Sequence, residues 1–307
     1  MSARVAAVGG RSRREGPVGG GGPLKTAARR TAKSIRFATA RPTASLRPLP
    51  DFLVIGAQRS GTTSLYRYLS RHPAVAPVLF GKGVHYFDIQ YGRGPDWYRS
   101  HFPTSAYRAY RRRRIGVEPI TGEGSPYYLF HPLAAQRIAE TLPGVRAIVL
   151  LRDPVRRAFS HYNHERDRGF EDLSFEDALR AEADRLDGEE ERLRSDPSST
   201  SYSHQHHSYQ ARGEYLSQLR RWTGMVALDR TLVLISEEFF ADPERAYRTT
   251  LRFLGLPIRS LQRYERANSR PSDPMSETAR AILGERFEGP NRDLSAFLGR
   301  ELPWSGA

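Results

Sequence analysis

A parallel β-sheet covered by helices on both faces, the α/β class, is what this sequence predicts, on three observations. Strand-like apolar runs alternate with helix-like segments, the first run ends in a glycine-flanked turn, and an Asp-Pro pair follows the second and the third. Strand, helix, strand, helix in that order implies crossover connections onto a buried parallel sheet.

Each element has its own reason. Phe52-Leu53-Val54-Ile55 is a continuous apolar run ending at Gly56, the pattern of a strand buried on both faces. In residues 62–71, Leu65 and Leu69 fall four apart, which predicts a helix that ends before His72-Pro73. Residues 147–151 predict the second strand. Asp153-Pro154 then supplies a cap and a first-turn proline for a helix reaching about Arg168. Residues 231–235 predict the third strand, and after Asp242-Pro243 a helix carries Ala246, Leu251 and Leu254 and closes at Gly255. Residues 175–194 read as a helix of alternating charge, most simply a solvated face, and residues 195–203 as a loop.

The chain has 307 residues, enough for one large domain or two small ones with a full core. It has no cysteine, which removes disulfides, thiolate metal sites and cysteine nucleophiles together. Its longest apolar stretch, residues 52–57, is far short of the ~20 residues that cross a bilayer. No apolar segment resembles a secretory signal, and a cytoplasmic location is expected. The net charge of +14 is unevenly spread: residues 1–50 hold nine arginines and two lysines against Glu15 alone, so +10 lies in the arm and +4 in the rest. The positive charge therefore belongs to a Gly-, Arg- and Pro-rich arm read as disordered, with the folded domain at residues 51–307. Such an arm could touch polyanions or a membrane surface weakly, and nothing in the domain points to a specific nucleic acid.

The segment Gly56-Ala57-Gln58-Arg59-Ser60-Gly61-Thr62-Thr63, between first strand and first helix, is a phosphate cradle: a turn offering amides and the positive end of a helix. It keeps the two glycines and the hydroxyl of the G-x-x-x-x-G-K-[ST] pattern but has Thr62 where the lysine belongs, with Arg59 three residues earlier. The next strand exits into Arg152 rather than an acid, which suits an anion better than Mg²⁺. The sheet is thus of P-loop type. A kinase acting on a small alcohol and a non-catalytic nucleotide- or glycan-binding module remain as other readings.

Taken with Lys82-Gly83-Val84-His85-Tyr86-Phe87-Asp88, Gly122-Glu123-Gly124-Ser125-Pro126, Leu150-Leu151-Arg152-Asp153-Pro154 with Ser160, and the run from Tyr209 to Tyr215 leading to Trp222, the chain resembles the sulfotransferases that use 3'-phosphoadenosine 5'-phosphosulfate (PAPS). Its motifs are most similar to those of bacterial relatives of the heparan sulfate and glycan enzymes. The resemblance implies that Arg59, Ser60, Gly61, Thr62 and Thr63 bind the 5'-phosphosulfate. It implies too that Arg152 and Ser160 grip the 3'-phosphate, and that Arg266, Asn268, Ser269 and Arg270 belong to a loop closing over the nucleotide. It implies transfer of a sulfuryl group without a metal to a hydroxyl, with a carbohydrate or glycolipid as the leading acceptor. Asp88 and Tyr86 fall in the segment that would meet the acceptor, although an aromatic pair such as Tyr86-Phe87 is more often core packing than a substrate platform.

The sequence departs from the family at Gly83, where the glycan branch has the glutamate that deprotonates the acceptor. Sulfuryl transfer needs a base for the attacking hydroxyl and a cation for the leaving phosphate. Lys82 suits the cation. His85, two residues beyond the vacant position, is the first candidate base and Glu123 the second. His204, His206 and His207 lack partners at metal-ligand spacing, and their Ser-rich surroundings read as a solvated or substrate-facing loop.

Overall fold

The computed structural model describes residues 40–267 and 274–304. Four strands, β1 (Phe52–Gly56), β2 (Gly122–Gly124), β3 (Arg146–Leu151) and β4 (Thr231–Ile235), form one parallel sheet in the order β2-β1-β3-β4. Three of them are the apolar runs of the sequence. Their alternate residues feed two cores: Leu53, Ile55, Ala147, Val149 and Leu151 on one face, Phe52, Val54, Ile148 and Leu150 on the other. Burial on both sides is why the β1 and β3 runs show no polar alternation.

The helices are α1 (Thr62–Ser70), α2 (Pro95–Arg99), α3 (Ser105–Ile115), α4 (Ala134–Thr141), α5 (Pro154–Asp167), α6 (Phe175–Leu186), α7 (Glu189–Ser195), α8 (Tyr202–His206), α9 (Tyr215–Thr223), α10 (Ser236–Ala241), α11 (Pro243–Phe253) and α12 (Glu277–Leu298). Helices α1 and α11 pack on one face of the sheet through Leu65, Leu69, Tyr247 and Leu251, and α4 and α9 on the other through Ile138, Leu219 and Trp222. The two Asp-Pro pairs act as expected. Asp153 accepts from the Val155 N–H at the start of α5, and Asp242 from the Arg245 N–H at the start of α11. No helix among the described residues is long and apolar enough to cross a membrane.

Two expectations need correction. Residues 175–194 are two helices, broken at Gly188, whose φ of +65° suits glycine. They are not simply a solvated face either, since Glu182 is buried and accepts the N–H groups of Gln210 and Ala211.

The domain also begins before residue 51. Arg41–Leu46 is a 3₁₀ helix in which Ala44 is buried, and the buried Arg47 donates to the Phe102 carbonyl at 2.5 Å. Arg99 donates in turn to the Arg47 carbonyl at 2.9 Å. Arg47, counted by composition with the arm, is thus spent on the domain. The rest of the arm, residues 1–39, lies outside the described residues. Arg47→Ala is expected to cost about 1–3 kcal/mol of stability, because it leaves a buried carbonyl without its donor. Thermal melting checks this, and an unchanged midpoint would contradict the packing.

Candidate active site

The cradle hangs between the ends of β1 and β3. The Ala57 N–H donates to the Leu150 carbonyl at 2.7 Å, and the chain turns through two left-handed residues, Arg59 at φ 71° and Gly61 at φ 93°. Gly61 then caps α1, whose first amides have no intrahelical acceptor and are available to an anion. A Cβ on Gly56 would stand 2.6 Å from Leu129 Cβ, so the cradle needs a glycine where the strand ends.

The donor-side residues converge. Arg59 Nε donates to Ser160 Oγ on α5 at 3.1 Å, and Arg152 Nη1 donates to the Arg59 carbonyl at 3.1 Å. Ser60 is buried, and its carbonyl accepts from Ser236 Oγ at 3.0 Å. Arg266 arrives from the late loop with its guanidinium 4.2 Å from the centre of the Phe240 ring, the ring that borders Gly61. That loop lies along α1: Tyr68 OH donates to the Glu265 carbonyl and the Ala267 N–H to Ser64 Oγ. Asn268, Ser269 and Arg270 lie outside the described residues.

The lysine absent from the cradle's own sequence comes from the loop before Gly83. Lys82 Nζ donates to Thr62 Oγ1 at 3.0 Å and to Thr63 Oγ1 at 3.1 Å, so it reaches the residue that stands at the P-loop lysine position. Burial brings its pKa down to about 7, against the opposing pull of Glu123. Its stem crosses Gly124, where a Cβ would meet Lys82 Cε at 2.8 Å. Gly124→Ala is therefore expected to displace the ammonium and cut kcat by about ten-fold or more, since small misplacements of a reacting group are costly. Steady-state kinetics beside a melting curve checks this; full activity in the variant would show that the close approach is immaterial.

His85 stands beside that ammonium. Its φ of 55° is left-handed, and its backbone N–H donates to Ser125 Oγ at 2.9 Å. Its Nδ1 pairs with Asp88 Oδ2 at 2.8 Å, and the side chain is 34% exposed, so a ligand can reach it. With Nδ1 as the donor to Asp88, Nε2 holds the free lone pair. Burial would lower the pKa of His85, but the charge and hydrogen bond of Asp88 outweigh it, and the group titrates above the ordinary histidine value.

Gly83 explains the histidine's placement. At φ +86° the position disfavours any side chain, and a Cβ there would lie 3.5 Å from His85 Nε2. A residue-83 side chain would start in van der Waals contact with the imidazole edge.

Three site residues expected from sequence take other parts. Glu123 is fully buried on β2, its Oε2 accepting from Ser125 Oγ and its Oε1 from Tyr128 OH, both at 2.7 Å. Tyr128 OH accepts the Tyr86 N–H, while Ser125 holds the His85 N–H, so this carboxylate anchors the backbone of the 82–88 loop from below. Burial pushes its pKa up, only partly offset by those two hydroxyls. It touches no solvent and is poorly placed as a base. Asp88 is also buried, with Oδ1 accepting the Ile89 N–H, and it orients His85 rather than meeting a substrate. Tyr86 is core, stacked on Tyr98 at 4.5 Å between centroids.

The histidines expected in a solvated loop are buried too. His204 pairs with Tyr127 OH at 2.6 Å, His206 with Glu165 at 2.7 Å and His207 with the Phe170 carbonyl at 3.0 Å. Among the described residues no group of three or more His, Asp or Glu could hold a metal ion. Sequence reasoning missed the residue that ties this segment to the cradle. Arg212, buried and lying over Tyr127 at 4.6 Å, donates to the side chain of Gln58, which itself donates to Glu165 at 3.4 Å. The signal was available, since Gln58 sits in the cradle motif and Arg212 in the Tyr209–Tyr215 run.

A parallel sheet with a cradle at the end of β1 and arginines on both sides of it is a site for an anionic group donor. Residues 49–286 match the sulfotransferase domain family, and the chain belongs to that family. It is 31% identical to a sulfotransferase of solved structure from Alicyclobacillus acidocaldarius, with a TM-score of 0.61 over 83% of this chain and 98% of that one. It is 26% identical to the membrane-associated sulfotransferase kil1 of Dictyostelium discoideum over 83% of this chain. With the mouse heparan sulfate glucosamine 3-O-sulfotransferase 3B1 it shares 30% identity over 69% of this chain. The matches span 66% and 48% of those two relatives' own lengths.

Proposed function

We propose that the protein transfers the sulfuryl group of PAPS to a hydroxyl of a carbohydrate or glycolipid acceptor. The observation that carries this reading is the juxtaposition of Lys82, held on Thr62 and Thr63 of the phosphate cradle, with a reachable His85 in the same loop. The residues present fit such a donor. Arg152 and Ser160 form a second anion point beside Arg59, and a guanidinium with a hydroxyl suits a phosphate. The exit of β3 into Arg152 favours this donor over a Mg²⁺ nucleotide, because the acid that follows, Asp153, is spent on capping α5.

In the reaction, His85 Nε2 accepts the proton of the acceptor hydroxyl as its oxygen bonds to sulfur. The bond from sulfur to the bridging phosphate oxygen breaks, and Lys82 stabilises the charge that gathers there. Asp88 holds the His85 tautomer and favours the imidazolium formed. The products are the sulfated acceptor and 3',5'-ADP.

Radiolabelled PAPS offered with a panel of glycans, glycolipids and small alcohols tests the reading, with label expected in a carbohydrate-bearing acceptor. Binding of 3',5'-ADP without transfer to any of them would leave a binding module instead. On the donor side, Arg59→Ala and Arg152→Ala are each expected to weaken 3',5'-ADP by about 1.5–3 kcal/mol, the scale of a charge-assisted contact. Calorimetry reads this directly, and affinities equal to the unmodified protein's would remove these arginines from the site.

A further inference from the structure

We propose that the outward face of α3 docks on the surface of an anionic lipid bilayer, an inference that rests on that surface and not on the catalytic reading. Between Asp96 and Glu118 the chain carries no acid, and α3 itself holds five arginines. They divide by direction. Arg108 is held by Asp51 at 3.2 Å, Arg112 pairs with Glu118 at 3.6 Å and Arg111 donates to the Pro73 carbonyl, so these three serve the domain side. At 3.6 residues per turn the opposite side collects Ala106, Ala109, Tyr110 and Arg113, flanked by Tyr107 and Arg114. All six are exposed, Tyr110 by 52% and Tyr107 by 37%, and α3 buries no residue at all.

Two further features lie near α3. Leu46, 60% exposed, adjoins the start of α3, where Ser105 Oγ donates to the Leu46 carbonyl at 3.2 Å. Leu46 also ends the 3₁₀ segment through which residues 1–39 join the domain, and those residues hold seven arginines and two lysines against Glu15 alone.

Charge alone would suit any polyanion, but the exposed tyrosines and leucine select among them. Tyrosine rings place an apolar body and a polar tip at headgroup depth, a leucine gains by leaving water, and arginines meet anionic headgroups. A nucleic acid or soluble glycan would use the arginines and stack on a tyrosine ring, but it would leave Leu46 in water.

The test is sedimentation of the full chain with vesicles of phosphatidylcholine alone or with about a third phosphatidylglycerol. The unmodified protein should partition to the anionic vesicles and not to the neutral ones. The triple variant Tyr110→Ser, Arg113→Glu, Arg114→Glu should lose that partition about ten-fold or more while binding 3',5'-ADP unchanged. If the triple variant melts early, Arg113→Gln with Arg114→Gln gives the same comparison with smaller changes. Failure of the unmodified protein to partition, partition of the variants equal to it, or retention on heparin or duplex DNA without binding to vesicles would each overturn the proposal.

Discussion

Replacing His85 by alanine is expected to lower kcat by about 10²–10⁴ while leaving 3',5'-ADP affinity nearly intact, because a general base acts on the chemical step and not on donor binding. The pH profile carries the sign of the same idea. The base works neutral, so activity should be lost as pH falls through the His85 pKa, which Asp88 holds above the ordinary histidine value. Asp88→Asn removes that carboxylate. It should move the acid limb to lower pH and reduce kcat, since the tautomer is no longer held. Glu123→Gln should act differently. Its carboxylate holds the loop through Ser125 and Tyr128, so the variant should lose some rate and stability, and it should move the acid limb down less than Asp88→Asn does, because Glu123 raises the His85 pKa less than Asp88. If Glu123→Gln abolishes turnover and His85→Ala stays active, the two roles are reversed. Placing the family's glutamate at position 83 should block turnover rather than restore it, because φ there is +86° and the side chain would start 3.5 Å from the imidazole.

Loss of the Lys82 ammonium is the second large effect. Lys82→Ala should lower kcat by about 10²–10³, the scale of one preorganised group facing the charge of a transition state. Only the protonated amine can do this, and its pKa is brought down to about 7. In the free enzyme, kcat/KM should therefore fall as pH rises through about 7. A bound donor adds negative charge beside the amine and raises its pKa, so the alkaline limb of kcat should lie higher. Together with the histidine limb this gives a bell, and Lys82→Arg should remove its alkaline side while retaining part of the rate. A kcat/KM that stays flat well into the alkaline range would exclude Lys82 as the titrating cation.

What the sequence disclosed follows from where the information is local. Strands β1 and β3 are legible because burial on both faces makes their residues almost uniformly apolar, and β4, half-buried at the sheet edge, still shows Leu232 to Ile235 as an apolar run. The two Asp-Pro pairs fix helix starts through contacts only two or three residues away. Strand β2 is different: Gly122, Glu123 and Gly124 have no strand propensity, and they form a strand only because Phe52 to Val54 pair with them from far away in the chain. The burial of Glu123 has the same origin, since a glutamate between two glycines looks exposed until a loop is laid over it. Arg59, Arg152 and Ser160 were legible as motifs, but their meeting depends on the sheet order. The Ser-rich surroundings of His204 to His207 suggested water, whereas Glu165, Tyr127 and Phe170 from distant elements enclose them.

Calorimetric titration of the purified full chain with 3',5'-ADP, and separately with ATP and Mg²⁺, examines the donor site without needing to know the acceptor. The arginine pair at the end of β3 and in the cradle, with Lys82 in place of a P-loop lysine and Asp153 committed to its cap, predicts that 3',5'-ADP binds and ATP binds poorly. ATP binding more tightly than 3',5'-ADP would contradict sulfuryl transfer from PAPS.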